Sequence, residues 1–356
     1  MDSGEKRVEE TRVDRISELP DSLLLHILSL MPTDETLVTN ALSKRWRYLW
    51  HSLDTFSFST EDYCEEYVSY VDYVLGHSVS SKIKTFELDS HESDAYKSDI
   101  NRWLSFAVEK KVENVTLRSY STDHVCAALP ECLYTCSSLI TLVLEKFFHY
   151  DAHVPIAWKS LKSIKLEFGM LSDDHIVNLL SGCPALESME LSIFMGFNRL
   201  EIRTSKLKIL NLHTYYDDGG IDHSLEIVAP YLQHLEISGD LSDLKCRLVD
   251  VSSVVNAKLS FNITCIKDFE DNDQDSDDEE EDSRRDYHQD FEILVQDYLQ
   301  KLSCASEITI GTWFIEVCFY LKSPYFFTLI INRHLRIKII QWRNFAQISQ
   351  KQLDLL

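Results

Sequence analysis

The first fifty residues place apolar side chains at helical spacing between short polar turns. Between Asp14 and Trp50, three stretches repeat apolar residues three and four positions apart, the spacing of one helix face. They hold Leu24, Ile27, Leu28 and Met31, then Leu37, Val38 and Ala41, then Trp46, Leu49 and Trp50. Pro20 suits a first helical turn and Pro32 ends the first helix. The pattern predicts three short helices with more apolar surface than so small a unit buries, so they meet a partner or join a larger core.

A second pattern, apolar-x-x-apolar-x-apolar, takes over further along the chain. It starts at Ile83, Val112, Leu139, Leu161, Leu186, Leu207 and Leu232, with a weaker start at Asn256. The spacing of 21 to 29 residues is that of leucine-rich repeats. Each repeat is predicted to be one short strand and a return segment, stacked so that the strands form a parallel concave sheet. The asparagine that many such repeats carry after the strand is missing, so we expect irregular curvature.

The segments between and after these patterns complete the predicted organisation. Residues 63–75 place apolar side chains at helical spacing and are expected to couple the two modules. Residues 268–282 hold eleven acidic residues and no basic one, a composition that predicts a solvated, disordered loop. A further repeat strand is predicted at Glu307–Ile310, and the loosely patterned tail favours a shortened solenoid. The predicted boundaries are a flexible N-terminus at 1–11, the helical module at 12–55, a helical connector at 56–82, the solenoid at 83–266, the acidic disordered loop at 267–290, and a continuation or cap at 291–356.

Composition narrows the class of protein. The 356 residues are 44% hydrophobic with a net charge of −23, which predicts a folded chain and argues against general nucleic-acid binding. Nine cysteines without a Cys-x-x-Cys pair predict reduced thiols rather than a disulfide framework or a zinc site. The charged N-terminus lacks a secretory signal, so we expect a nuclear or cytoplasmic location. Residues 313–331 contain Glu316, Lys322 and Pro324 and do not predict a membrane span.

Motifs for catalysis and cofactor binding are not found in the sequence. It has no Gly-x-Ser-x-Gly elbow, no phosphate-binding glycine loop and no His-Glu-x-x-His, so we predict a protein that is not an enzyme and holds no cofactor. One cluster, His149, Asp151 and His153, has the alternation that would point three metal ligands to one side of a strand. It follows a repeat strand, where a loop is expected, and therefore no metal site is predicted.

The amino-terminal stretch resembles a known family motif. The sequences LPDSLLLHILSLMPT and LSKRWRYLW are similar to the F-box, in the form found at the start of plant F-box/leucine-rich-repeat proteins. The resemblance covers about residues 14–263; the C-terminal FBD segment of many members is not found. It implies docking onto a Skp-type adaptor and, through it, a cullin. The adaptor contacts that the resemblance implies are Leu19, Pro20, Leu24, Ile27, Leu28, Leu42, Trp46, Leu49 and Trp50, some of which close the core of the module itself.

These observations together predict a substrate-recognition subunit of a Skp–cullin–F-box ubiquitin ligase. The F-box binds the adaptor, and outward strand positions of the solenoid bind an unknown target protein; neither a nucleic acid nor a membrane is an expected partner. The predicted target-binding residues are Glu87, Arg118, Glu145, Lys165, Glu167, Glu190, His213, His234 and Glu236. Their acidic excess favours a basic or mixed-charge target. The alternative is a leucine-rich-repeat scaffold or small-molecule sensor whose F-box serves outside a ligase. The predicted fold class is α/β, a small three-helix F-box followed by an irregular solenoid.

Overall fold

The amino-terminal module consists of short helices. The computed structural model describes residues 15–16, 18–59, 64–90, 97–119, 129–145, 151, 153–215, 225–240, 246–262, 294, 296–311 and 336–340. Helices α1 (Asp21–Leu28), α2 (Thr33–Val38) and α3 (Trp46–Leu49) confirm the three-helix prediction. Short 3-10 turns at Thr39–Ala41 and Trp50–Ser52 extend the second and third helices. Pro20 and Pro32 each stand one residue before a helix, so neither removes a hydrogen bond from a helix interior.

Eleven strands of the described residues form one parallel sheet. Their order is β1-β2-β3-β4-β5-β6-β8-β10-β12-β13-β14. The bounds are β1 Thr55–Ser59, β2 Thr85–Ser90, β3 Asn114–Ser119, β4 Thr141–Glu145, β5 Ser163–Met170, β6 Ser188–Met195, β8 Ile209–Tyr215, β10 His234–Asp240, β12 Asn256–Asn262, β13 Glu307–Gly311 and β14 Arg336–Ile340. Each strand pairs in parallel with the next one in this order, as a leucine-rich-repeat solenoid requires.

The apolar pattern positions form the core of the solenoid. In β4, Leu142 and Leu144 are fully buried, whereas Thr141, Val143 and Glu145 are half-buried on the opposite face. Leu142 pairs with Ile164 of the next strand, so equivalent side chains stack from rung to rung. Side chains alternate between the two faces of a strand. The residues on either side of each buried position, such as Thr141, Val143 and Glu145 in β4, therefore lie on the concave face.

The structure contains a repeat strand that the sequence interpretation did not include. Residues 56–82 were predicted to be a helical connector, but β1 lies at Thr55–Ser59 and pairs in parallel with β2. Its signal is Leu53-x-x-Phe56-x-Phe58, and all three side chains are buried. Aromatic residues fill the leucine positions here, which is why the pattern was not recognised. Helix α4 (Glu65–His77) then follows, within the range for which a helical connector was predicted.

The return segments are helices in the earlier repeats and short strands in three later ones, and residues 296–301, before β13, are again helical. Helices α4, α5 (Lys97–Glu109), α6 (Glu131–Tyr134) and α7 (Asp173–Gly182) belong to the earlier repeats. After α7, the short strands β7 (Arg199–Glu201), β9 (Leu225–Val228) and β11 (Cys246–Asp250) replace them and form a parallel sheet of three strands. Buried side chains alternate in β9 and β11, a period of two that favours strands over helices. The sequence interpretation did not predict this second sheet.

Two further corrections concern the carboxyl-terminal repeats. His234 pairs with Asn256, which places Asn256 on the concave face; the repeat starts at the buried Val254 and not at Asn256. Strand β13 confirms the prediction at Glu307–Ile310, and β14 adds a parallel strand in a tail that was predicted to be only loosely patterned. The acidic run at 268–282 lies outside the described residues. No helix in the described part of the chain is long and apolar enough to cross a membrane.

Candidate interaction surfaces

The nine F-box residues that the resemblance implied as adaptor contacts fall into a buried group and an accessible group. Leu24, Leu28, Trp46, Leu49 and Trp50 are buried within the chain. Pro20, Ile27 and Leu42 are exposed, and Leu19 is half-buried. The five buried residues therefore hold the module together in this structure, and the other four are accessible to a partner; contact of the nine residues with an adaptor stays a prediction.

An exposed apolar surface lies on the same module, including residues that were not predicted as contacts. Leu23, Ile27 and Leu30 are spaced four and three positions apart, and all three are exposed. Leu24 and Leu28 lie one residue further along and are buried, so α1 has one apolar stripe for the core and another for the outside. Leu30 and Val38 expose 74% and 73% of their surface. The signal was present in the sequence, but the predicted face combined Ile27 with the buried Leu24 and Leu28 and did not include Leu23 or Leu30.

One basic residue of the F-box, Arg45, has a structural role. The guanidinium of Arg45 donates to Asp21 Oδ1 at 2.7 Å and to the carbonyl oxygen of Leu19 at 2.6 Å. These contacts hold the start of α3 against the start of α1. The short run Lys44 to Arg47 is therefore explained in part by packing of the module, without a nucleic-acid partner.

The F-box and the solenoid share one continuous apolar core. The backbone N–H of Ser57 in β1 donates to Oγ1 of the buried Thr33, 2.8 Å away. The Val79 N–H donates to the His51 carbonyl at 2.8 Å, and the ring of His51 lies 4.0 Å from that of Trp50. Burial, with a smaller effect from neighbouring His77, lowers the pKa of His51. The two modules are therefore joined by packing as well as by chain connectivity.

A chain of ion pairs runs across the concave face from β2 to β6, and we call it the ion-pair ladder. Arg118 lies 3.1 Å from Asp89 and 3.2 Å from Glu145, and Lys165 lies 3.1 Å from Glu145 and 3.5 Å from Glu190. Each cation thus bridges two carboxylates of neighbouring strands. The spacing arises because parallel strands in register place equivalent side chains one rung apart.

The electrostatics of the ion-pair ladder favour the charged forms of Lys165 and Arg118. Partial burial disfavours the ammonium of Lys165, but the hydrogen bond with Glu145 and the attraction of Glu145 and Glu190 outweigh it, so the pKa of Lys165 is raised. The pKa of Arg118 is raised in the same way, against burial, by Asp89 and Glu145. Both cations remain charged, and the surface keeps an acidic excess because Glu87 and Glu167 lie on the same strands.

The predicted target-binding residues of the later repeats also contact their neighbours. His213 and the Ser238 hydroxyl form a hydrogen bond, the His234 ring is 3.2 Å from the Asn256 amide, and Lys258 lies 2.6 Å from Glu236. All nine predicted residues lie on the concave face; eight are half-buried and His234 is exposed. The structure therefore places them on one surface, at which the side chains are already oriented by one another.

The candidate metal ligands and the cysteines have ordinary structural roles where they are described. His149 lies outside the described residues, and Asp151 accepts a hydrogen bond from the His153 N–H at 2.8 Å. Among the described residues no cluster of His, Cys, Asp or Glu is arranged to hold a metal ion. The six described cysteines are free. Burial raises the pKa of Cys183 and Cys246 to about 12, so both remain protonated thiols at neutral pH.

The fold and its two surfaces define a class of protein: a small helical module with exposed apolar side chains, attached to a leucine-rich-repeat solenoid. Comparison with known families agrees. The F-box domain model matches residues 16–58. The model for the LRR repeats of FBD-associated F-box protein At5g56370 matches residues 100–260.

Curated relatives from Arabidopsis thaliana identify the family. F-box/LRR-repeat protein At3g26922 is 32% identical over 273 residues, which cover 71% of this chain and 88% of that protein. F-box/FBD/LRR-repeat protein At2g26030 is 28% identical, over 85% of this chain and 68% of that protein. A protein described as F-box/LRR-repeat protein At5g02930 is 29% identical over 88% of this chain, which spans 63% of it. The chain belongs to the plant F-box/LRR-repeat family.

Proposed function

We propose that this chain is a substrate-recognition subunit of a Skp–cullin–F-box ubiquitin ligase. The observation that supports it best is that the F-box exposes Leu23, Ile27 and Leu30 along one stripe, and also exposes Val38 and Leu42. Large apolar side chains grouped on a small module mark a protein interface. The family implies that a Skp-type adaptor occupies it, with a cullin bound through the adaptor.

In the proposed mechanism the chain has no active site and instead holds two proteins at a defined separation. The F-box binds the adaptor, and the concave face binds the target. Because the core is continuous between them, the target lysine is kept near the ubiquitin thioester of the partner enzyme. Such tethering raises the effective concentration of the reacting groups.

The adaptor contact is tested with paired substitutions. Leu30→Glu with Val38→Glu is expected to abolish co-purification with a Skp-type adaptor, because two charges replace exposed apolar contacts. The matched control is Val79→Glu with Val177→Glu, two valines that are 69% and 65% exposed outside the F-box. It should bind as the unchanged protein does. Adaptor binding that survives Leu30→Glu with Val38→Glu would contradict the proposed interface.

The target surface is tested separately on the concave face. Glu87→Lys with Glu167→Lys should reduce capture of the target that accumulates when the proteasome is blocked, since it removes the acidic excess without cutting the ion-pair ladder. The control is Glu109→Lys with Glu131→Lys, two exposed carboxylates outside the strands. Equal target capture by all three proteins would show that the target binds elsewhere.

The alternative, a small-molecule sensor, has less support from the structure. A cleft of about 590 Å³ lies between α7 and β7, on the opposite side from the concave face. Its charged groups are already paired, since Glu201 lies 3.2 Å from Arg199 and also contacts Arg203. The cleft therefore offers an apolar floor but few polar groups free to recognise a ligand.

A further inference from the structure

Exposed lysines are concentrated at the edge of the solenoid where the parallel strands begin. The residues are Lys82, Lys84, Lys111, Lys159, Lys162 and Lys206, all exposed, and we call this surface the lysine edge. Backbone hydrogen bonds define its course: the Lys84 N–H donates to the Asp54 carbonyl, and the Lys162 N–H to the Ile140 carbonyl at 2.8 Å. Such an accumulation of lysine stands out in a chain with a net charge of −23.

The pairing of these lysines differs from that of the cations on the concave face. Arg118, Lys165 and Lys258 are all in ion pairs with carboxylates of neighbouring strands. At the lysine edge, Lys82 pairs with Glu113, and Lys162 lies 3.1 Å from Glu187. Within the described parts of the chain, Lys84, Lys111, Lys159 and Lys206 make no ion pair. The concave face neutralises its own cations, whereas the edge leaves four cations available to a partner.

The spacing of the four lysines indicates the size of that partner. They belong to the repeats of β2, β3, β5 and β8, which span five rungs in the order of the sheet. At about 4.8 Å per rung, the four cations extend over roughly 24 Å. An extended peptide rises about 3.3 Å per residue, so about seven residues cover this length.

The charge pattern favours a protein segment over a nucleic acid. Carboxylates of Glu113 and Glu187 lie between the lysines along the same edge, and that of Asp54 lies one strand before Lys84. A phosphodiester backbone is uniformly negative and would place phosphates opposite these carboxylates. A peptide can place acidic residues opposite the lysines and neutral or basic residues opposite the carboxylates. We propose that the lysine edge is a docking surface for an acidic, extended protein segment of about seven residues, distinct from the F-box and the concave face.

The proposal is tested with the full chain and a fluorescent octaglutamate peptide, by anisotropy at low ionic strength. The unchanged chain should bind the peptide. Substitution of Lys84, Lys111, Lys159 and Lys206 by Glu should weaken binding at least about tenfold, because each exposed charge contact contributes modestly and four are reversed. The control substitutes Glu for Lys97, Arg203, Arg247 and Lys301, which lie outside the edge, and so changes the net charge by the same amount. Its affinity for the peptide should stay within about twofold of that of the unchanged chain. Replacement of the four edge lysines by Gln, which adds no repulsion, provides a second variant in case the Glu substitutions impair folding.

Each contrary result has a distinct meaning. An equal loss in the control would show a general effect of net charge. No binding by either the unchanged chain or the chain without residues 268–282 would exclude the site. Equally tight binding of an eight-nucleotide oligouridylate through the same lysines would identify a nucleic-acid surface instead. Binding only after deletion of residues 268–282 would identify the acidic run of this chain as the occupant and overturn an external partner. Adaptor co-purification, measured in parallel, separates all of these results from a failure of the proposed ligase function.

Discussion

Glu145 is the central carboxylate of the ion-pair ladder, and its neutralisation measures how strongly the ladder is coupled. Glu145 contacts Arg118 at 3.2 Å and Lys165 at 3.1 Å. The side chain of Glu145 is 22% exposed, and those of its partners are 31% and 33% exposed. Water therefore screens these pairs less than it screens fully exposed ones. The substitution Glu145→Gln keeps the shape of the side chain and removes both pairs.

The expected loss of stability follows from these contacts. Ion pairs at protein surfaces contribute up to about 1 kcal/mol each, so losing two partly buried pairs should lower the free energy of unfolding by about 1 to 2 kcal/mol. For a domain of this size the melting temperature should fall by roughly 2 to 8 °C. Urea denaturation at low and high ionic strength checks the origin of the loss. In 1 M salt the difference should shrink, because the screening length is only about 3 Å.

A matched control separates the ladder from an ordinary surface pair. Glu187 has one ion pair, with Lys162, and both side chains are more than half exposed, at 55% and 57%. Glu187→Gln should cost less than about 0.5 kcal/mol. If both substitutions cost the same, or if the loss at Glu145 persisted unchanged in high salt, the ladder would have no special contribution and the argument from partial burial would be wrong.

Three further predictions concern packing, pH and backbone conformation. Gly182→Ala should destabilise the solenoid by about 1 to 3 kcal/mol, because its Cβ would lie 2.5 Å from Ile156 Cγ2 and 2.7 Å from the Ile156 carbonyl oxygen; chemical denaturation measures the loss. The pKa of His51 is lowered in the folded chain by burial and by His77, so the unfolded chain binds the proton more readily. Stability that is complete above the ordinary value of 6.5 should therefore decline as pH falls through and below it, and His51→Gln should flatten that decline in denaturation curves from pH 7.5 to 5. Lys111 adopts a left-handed φ of 55° after α5, so Lys111→Gly should raise the free energy of unfolding by about 1 kcal/mol, as measured by thermal melting; an unchanged or lower value would contradict the strain argument.

The sequence determined the kind of module, and the structure determined which face of it is available. In α1, Leu24 and Ile27 both belong to an apolar pattern at helical spacing, yet Leu24 is buried and Ile27 is 40% exposed. Periodicity identifies apolar stripes, but which stripe of α1 faces the core depends on where α3 and the turn at Trp50–Ser52 pack, and those contacts join residues far apart in sequence.

Repeat spacing predicted the solenoid because each repeat contacts mainly its neighbours, so local pattern and global fold agree. The exceptions arose where other residues satisfy the same packing. Phe56 and Phe58 occupy leucine positions in β1, and short alternating stretches form the second sheet in return segments for which no strand was predicted.

The outward positions of the strands were predictable from alternation, since a strand turns successive side chains to opposite faces. Their pairing was not predictable in this way. Arg118 and Glu145 are separated by a whole repeat, and only the register of β3 against β4 brings them within 3.2 Å. The sequence by itself therefore determined the two modules and the composition of the concave face. Tertiary structure decided which charges neutralise one another there and which lysines remain unpaired at the edge, because ion pairing depends on distances that only the stacked strands establish.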